Sequence, residues 1–266
     1  MTGAGPAAGP ERDGPPLIAV AHGSRDPRSA QSIHAIVDGL RAANPGIEVH
    51  VAFLDLSVPS LGDVVETVAR AGHRSAVVVP LLLGSAYHSR VDLPALLAAA
   101  SARRPGMELI QAPVLGDDER LVTAIRDRIV GAGARVDDPS VGVALSAVGS
   151  SSAEANAVTR ALAARVSEGT AWHGARVCFA AAADPTVESA IDSLRAQGAR
   201  RIVVGSWFLA PGLLADRVRR RALEVEPSAM IAEPIGPHAL VPQVIVDRYR
   251  RAAATVTVAA ARTDAA

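Results

Sequence analysis

Leu17-Ile18-Ala19-Val20-Ala21-His22-Gly23-Ser24-Arg25-Asp26-Pro27 is the stretch that decides the fold. Leu17 to Ala21 is an apolar run of strand length, His22 to Arg25 is a polar turn, and Asp26-Pro27 signals a helix start. Aspartate can cap the first turn, and proline at the first helical position has no N–H to lose. Ile33, Ile36, Val37 and Leu40 then recur at spacings of three and four, which lays one apolar stripe along the helix that follows, with His34 off it. A strand that feeds a helix through a short polar turn is the opening of a β/α unit.

Outward from that unit the alternation continues. Ile47 to Leu56 predicts a second strand, and Pro59 to Ala71 a helix with Leu61, Val64, Val65 and Val68 inward. Ala76 to Leu83 is apolar on both faces, as an interior parallel strand must be, although Pro80 lacks a ladder donor and implies a local irregularity. The polar segment Gly84 to Arg90 follows directly. A further helix, a strand at Glu108–Ala112 and a helix over 118–130 complete an open, mostly parallel sheet with helices on both faces. After Gly131 to Ser140 the pattern begins again. Ala21-His22-Gly23-Ser24 lies over Ala147-Val148-Gly149-Ser150, and Phe53, Pro59 and Gly72 lie over Phe179, Pro185 and Gly198 at the same offset. Ala112 to Gly116 resembles Ala232 to Gly236 at a slightly shorter one. The chain therefore reads as α/β with two duplicated lobes: a disordered tail at 1–16, a first lobe at 17–130, a linker at 131–140, a second, diverged lobe at 141–251 and a tail at 252–266. In the second lobe Val148 replaces His22 and Leu214 replaces His88, so only the first copy carries the imidazoles.

Composition narrows the chemistry. Lys+Arg 27 balances Asp+Glu 27, which removes the broad positive field that nucleic acid or an anionic membrane requires. Every cation is arginine, so lysine Schiff-base chemistry is unavailable and anions would meet planar guanidiniums; codon bias is an equally good origin for that composition. The single Cys178 excludes a disulfide framework and reads as core. Residues 1 to 16 lack a signal-peptide core and no long apolar run follows, so a cytoplasmic location is expected.

In open α/β sheets ligands bind outside the carboxyl ends of the strands, and His22 and His88 each stand within a few residues of such an end. Neutral imidazoles ligate iron, cobalt, nickel or zinc and titrate near neutrality, so two of them converging on one divalent ion is the metal-binding reading; a lone histidine after a strand is more often a capping or hydrogen-bonded residue. His22-Gly23-Ser24-Arg25-Asp26-Pro27-Arg28, Pro80 to His88 with Val91-Asp92-Leu93-Pro94 beyond it, and Ala112 to Gly116 together resemble the CbiX-type class II chelatases, over nearly all of Leu17 to Tyr249. The resemblance implies insertion of a divalent metal into sirohydrochlorin in a cleft between the lobes, with His22 and His88 as catalytic residues and metal ligands. It implies no permanent cofactor, since the metal is itself a substrate. A histidine-rich segment found in some cobalt-inserting members is absent, which favours Fe²⁺ and siroheme biosynthesis over Co²⁺ and cobalamin.

Sirohydrochlorin carries eight carboxylates, so Arg25, Arg28 and Arg90 are candidate anchors through charge-assisted pairs, or else a solvated rim. Ser24, Ser85 and His238 are the remaining candidate substrate contacts. Neutral histidines can deliver the ion and accept the protons leaving the pyrrole nitrogens. His34, His50 and His73 are expected in satisfied or surface roles. Trp207 and Phe208 are expected in the core of the second lobe, or as an apolar wall, and most of Arg217, Arg219, Arg220 and Arg221 as a solvated helix face. The expected partners are sirohydrochlorin and the metal ion, with neither nucleic acid nor membrane, and the chain is a monomer or homodimer. A non-catalytic metal or tetrapyrrole carrier is the rival from another class.

Overall fold

The computed structural model describes residues 14–84, 93–181 and 184–263. Each apolar run in the first half becomes a parallel strand: β1 (Leu17–Ala21), β2 (Val49–Phe53), β3 (Ser75–Pro80) and β4 (Glu108–Gln111). Between and after them come α1 (Pro27–Ala43), α2 (Leu61–Arg70), α3 (Leu93–Arg103) and α4 (Glu119–Gly131). The second half repeats this with β5 (Val141–Ala147), α5 (Ala153–Ser167), β6 (Gly174–Phe179), α6 (Val187–Ala196), β7 (Arg201–Ser206), α7 (Leu213–Val225), β8 (Met230–Pro234) and α8 (Leu240–Thr263). The last helix runs on into the segment expected as a tail. β3 stops at Pro80, three residues short of the expected Leu83, because proline has no N–H for the ladder.

The two sheets have the orders β2-β1-β3-β4 and β6-β5-β7-β8. The chain leaves β1 for β2 on one side and returns to β3 on the other, so each sheet has a topological switch point between its two central strands. The duplication extends to single hydrogen bonds. Phe53 N–H donates to Pro59 O and Phe179 N–H to Pro185 O, while Leu115 N–H donates to Leu82 O and Ile235 N–H to Phe208 O.

Alternation along the strands distributes the cores. Ile18, Val20, Ala76 and Val78 face α2 and α3 in one cluster, and Ala144, Ile202 and Val204 face α6 and α7 in another. Leu17, Ala19, Val77 and Val79 point the other way, into a central core shared with Val141, Val143, Leu145 and Val203 of the second lobe. The terminal helix of each half packs on the sheet of the other: α4 lies on β7 and β8, and α8 on β3 and β4. A matched pair of arginines secures this exchange. Arg128 of α4 donates to Ile235 O beyond β8, and Arg248 of α8 donates to Val114 O and Leu115 O beyond β4. The inner faces of both sheets are thereby buried against each other's helices, and the lobes have a fixed relation at the ends where their loops emerge.

Candidate metal and substrate site

His22 is the first residue beyond β1, and β1 pairs directly with β3 from Leu17↔Val77 to Val20↔Pro80. The ladder continues past the strand end, since Leu81 N–H donates to Val20 O at 2.8 Å. The neighbouring strand that the metal reading requires is therefore present, and the segment carrying the second histidine leaves from its end. Ser85, His88 and Arg90 themselves lie outside the described residues.

Backbone contacts fix the turn at His22. Leu54 N–H donates to Ala21 O and Asp55 N–H to His22 O, so the loops after β1 and β2 run together beyond the sheet. Gly23 takes φ +93°, and a Cβ there would stand 1.7 Å from Asp55 O, a position only glycine can hold. Ser24 N–H donates to Ser57 Oγ, and Ser57 Oγ–H donates back to Ser24 O, both at 3.1 Å. Ser24 Oγ accepts from Asp26 N–H, which leaves its own hydroxyl proton to point elsewhere. Asp26 caps α1 by accepting from Arg28 N–H, as expected for Asp-Pro at a helix start. The result is an exposed imidazole on a rigidly braced turn at the switch point of the first sheet.

The second lobe keeps the backbone bond and the glycine, holds Ser150 through Asn156 instead of a serine, and loses the imidazole. Ala181 N–H donates to Val148 O as Asp55 does to His22 O, Gly149 has φ +87°, and Ser150 Oγ accepts from Ser152 N–H. The alignment of His22 with Val148 is thus a structural equivalence. Leu56 at 48% exposure and Val58 at 82% lie in the loop after β2, Val148 at 45% lies on the second turn, and Leu213 at 67% opens α7. Leu56 holds φ +59°, a conformation costly for a branched side chain.

The arginines flanking His22 differ. Arg28 is bidentate to Asp26 and also reaches Asp216 of α7 at 2.5 Å, linking the lobes across the mouth. The Arg28 guanidinium, through its hydrogen bonds, holds the Asp26 carboxyl below its usual value. Arg25 is exposed and has no acidic partner among the described residues. His238 does not join this group. Its Nε2 lies 3.2 Å from Asp127 and its Nδ1 accepts from Leu240 N–H, beside a groove along Ala35, Gly39 and Pro242.

The other histidines have local partners. His50 and His73 share Glu48 at 2.9 and 3.0 Å, and His34 stacks edge-on with Phe53. Trp207 is buried in the central core and Phe208 packs against the outer core of the second lobe. Cys178 is fully buried, and burial pushes its thiol up to about 12. Among the described residues no three His, Cys, Asp or Glu side chains converge to hold a metal. None of the described helices is long and apolar enough to cross a membrane.

The model of the CbiX family matches this chain over residues 16–132 and 142–252, one match per lobe. A sirohydrochlorin ferrochelatase of Bacillus subtilis (strain 168) is 24% identical over 90% of this chain and 92% of its own length. A sirohydrochlorin cobaltochelatase of Priestia megaterium is also 24% identical, over 76% of this chain and 66% of its own. Among solved structures, SirB from Bacillus subtilis with Fe³⁺ superposes with a TM-score of 0.78 at 23% identity, covering 92% of this chain and 98% of that one. The SirB structure from subspecies spizizenii in complex with cobalt gives 0.74 at 22%, covering 91% and 96%.

Proposed function

The chain belongs to the CbiX family, and from that premise we propose that it is a lyase inserting a divalent metal, Fe²⁺ in the cell, into sirohydrochlorin, with His22 and His88 as the ligands that deliver the ion. One observation carries the reading. His22 stands on a braced turn at the switch point of the first sheet, next to the strand from which the His88 segment departs, while the equivalent turn of the second lobe, held at Ser150 by Asn156, presents Val148.

The chemistry has three requirements: a partly dehydrated ion, acceptance of two protons from pyrrole nitrogens, and a macrocycle held flat over the ion. Neutral imidazoles serve the first two, because they coordinate and have basicity near neutral pH. In this reading the exposed side chains of Leu56, Val58, Val148 and Leu213 serve the third as an apolar rim, since a tetrapyrrole presents a wide apolar face ringed by carboxylates. Among the arginines expected to meet those carboxylates, Arg25 is uncommitted to an acid within the described residues, whereas Arg28 is already held by two. Ser24, with its hydroxyl proton undirected, and Ser85 and Arg90 beyond β3 remain proposed contacts; His238 is the least favoured, given its engagement with Asp127.

Iron is preferred to cobalt for two reasons. The sequence lacks a histidine-rich segment, and the match to the Bacillus ferrochelatase takes in nearly the whole of both chains, whereas the match to the Priestia cobaltochelatase leaves a third of that protein outside it. The test is turnover: sirohydrochlorin and Fe²⁺ or Co²⁺ are mixed with substoichiometric protein and the absorption spectrum is followed. Many equivalents converted, faster with Fe²⁺, is the expected result. Conversion of a single equivalent identifies a carrier, and faster turnover with Co²⁺ reverses the metal assignment.

A further inference from the structure

The most basic stretch of the chain, Arg217-Val218-Arg219-Arg220-Arg221, lies in α7, within the lobe that kept neither histidine. Asp216, Arg219, Arg220 and Leu223 are spaced three and four apart and so share one helix face. Asp216 reaches Arg28 at 2.5 Å, which turns that face toward the first turn of α1, just beyond the His22 turn. Between the two helices runs a groove of about 550 Å³ lined by Arg28, Asp216, Arg219, Arg220, Leu223 and Glu224. Its three guanidiniums are unequally committed. Arg28 is held by Asp26 and Asp216, and Arg220 stands 3.6 Å from Glu224, while Arg219 has no acidic partner among the described residues.

We propose that this groove is a subsite for a carboxylate-bearing side chain of the tetrapyrrole, with Arg219 taking the anion and Asp216 setting its affinity by occupying Arg28. The inference rests on the chelatase reading and assigns the diverged lobe a role in substrate specificity. An entering carboxylate meets Arg219 directly. It also competes with Asp216 for Arg28, and that competition is close because the Arg28–Asp216 pair is nearly half open to water on both sides, where ion pairs are weak. Leu223 offers the aliphatic part of the same substituent an apolar floor.

The experiment is a fluorescence titration of the full chain with a metal-free octacarboxylate porphyrin, run beside steady-state metal insertion. Arg219→Gln weakens porphyrin binding and raises KM for sirohydrochlorin by about fivefold, the scale of one partly solvated charge-assisted pair, with kcat unchanged. Arg219→Lys recovers part of the loss. Asp216→Asn tightens binding by about threefold on the same scale, because Arg28 becomes available. Arg135→Gln, an exposed arginine paired with Asp137 at the amino end of the second sheet, serves as the control. Porphyrin binding by Arg219→Gln equal to that of the unmodified protein overturns the subsite and leaves the chelatase reading standing. Weakened binding in a protein that never turns over keeps the subsite and removes the activity. No porphyrin binding by the unmodified protein removes the subsite, and no turnover beside it removes the activity as well.

Discussion

Gly23→Ala is expected to be among the most damaging single-methyl additions in this chain, and its cost can be worked from the turn that carries His22. The backbone there has φ +93°, which costs an L-residue about 1–2 kcal/mol. The new Cβ also stands 1.7 Å from Asp55 O, where about 3.0 Å is the nearest approach real contacts show, so the loop after β2 must retreat by more than an ångström. That movement breaks Asp55 N–H to His22 O and strains the two Ser24–Ser57 bonds, each worth about 0.5–1.5 kcal/mol. The sum is about 3–5 kcal/mol, or a fall of about 10 °C in melting temperature for a chain of this size. Gly149→Ala in the second lobe is the internal comparison. It has the same backbone conformation, but its nearest atoms are 3.0 Å away, so the cost is about 1–2 kcal/mol. Thermal unfolding by circular dichroism, with metal-insertion rate measured on the same preparations, provides the assay. Equal melting temperatures for the two variants, or a Gly23→Ala protein with full activity, would refute the claim that this contact braces the His22 turn.

Further outcomes follow from other positions. Leu56→Gly relieves the positive φ and raises stability by about 1 kcal/mol, yet it removes part of the apolar rim, so KM for sirohydrochlorin rises; an unchanged KM detaches the rim from substrate binding. Arg248→Gln removes donors to Val114 O and Leu115 O in a site where the side chain is only 14% exposed, and destabilises the protein by about 2 kcal/mol in denaturant melts. Arg128→Gln, its counterpart, behaves alike. Asp118 is held down to about 2, first by its side-chain bond with Arg120 and with a further contribution from Arg248. A carboxyl lowered in the folded state stabilises it above the unfolded value near 4 and loses that contribution as pH falls toward 2. Asp118→Asn, which keeps the helix cap, therefore loses about 1–2 kcal/mol at neutral pH and flattens the acid limb of the stability curve between those limits. Cys178, buried with its thiol pushed up to about 12, stays unreactive to a thiol reagent at pH 8 until the protein unfolds; rapid labelling of the native protein contradicts that burial.

Much of the fold was legible because its signals are local. The strand at Leu17–Ala21 and the Asp26 cap depend on adjacent residues and emerged where they are found, and the repeat depends only on comparing the chain with itself. The equivalence of His22 and Val148 was legible for the same reason. Pro80 announced an irregularity, and it terminates its strand. What escaped the sequence is what depends on distant partners. The exchange of α4 and α8 between sheets leaves no mark in periodicity, since a helix stripe shows that it packs but not on which sheet. Arg28 resembles Arg25 in the chain, yet only Arg28 meets Asp216, 188 positions away. Nothing in the chain around Arg128 and Arg248 announces the carbonyls beyond β8 and β4 that they meet. His238 follows Gly236-Pro237 at a helix start, and its partner Asp127 is too distant in the chain for the sequence to announce the pairing. Leu56 and Leu213 carry no signal of exposure in sequence, where an isolated leucine reads as core.

X-ray absorption at the cobalt edge of the Co²⁺-loaded protein addresses the metal centre without requiring turnover. The account predicts scattering from two imidazole rings in the unmodified chain, one in His22→Ala and one in His88→Ala, with metal affinity falling in both and the melting temperature of the metal-free protein unchanged. A Co²⁺ site whose spectrum and affinity are the same in His22→Ala as in the unmodified protein would place the ion elsewhere and contradict the account.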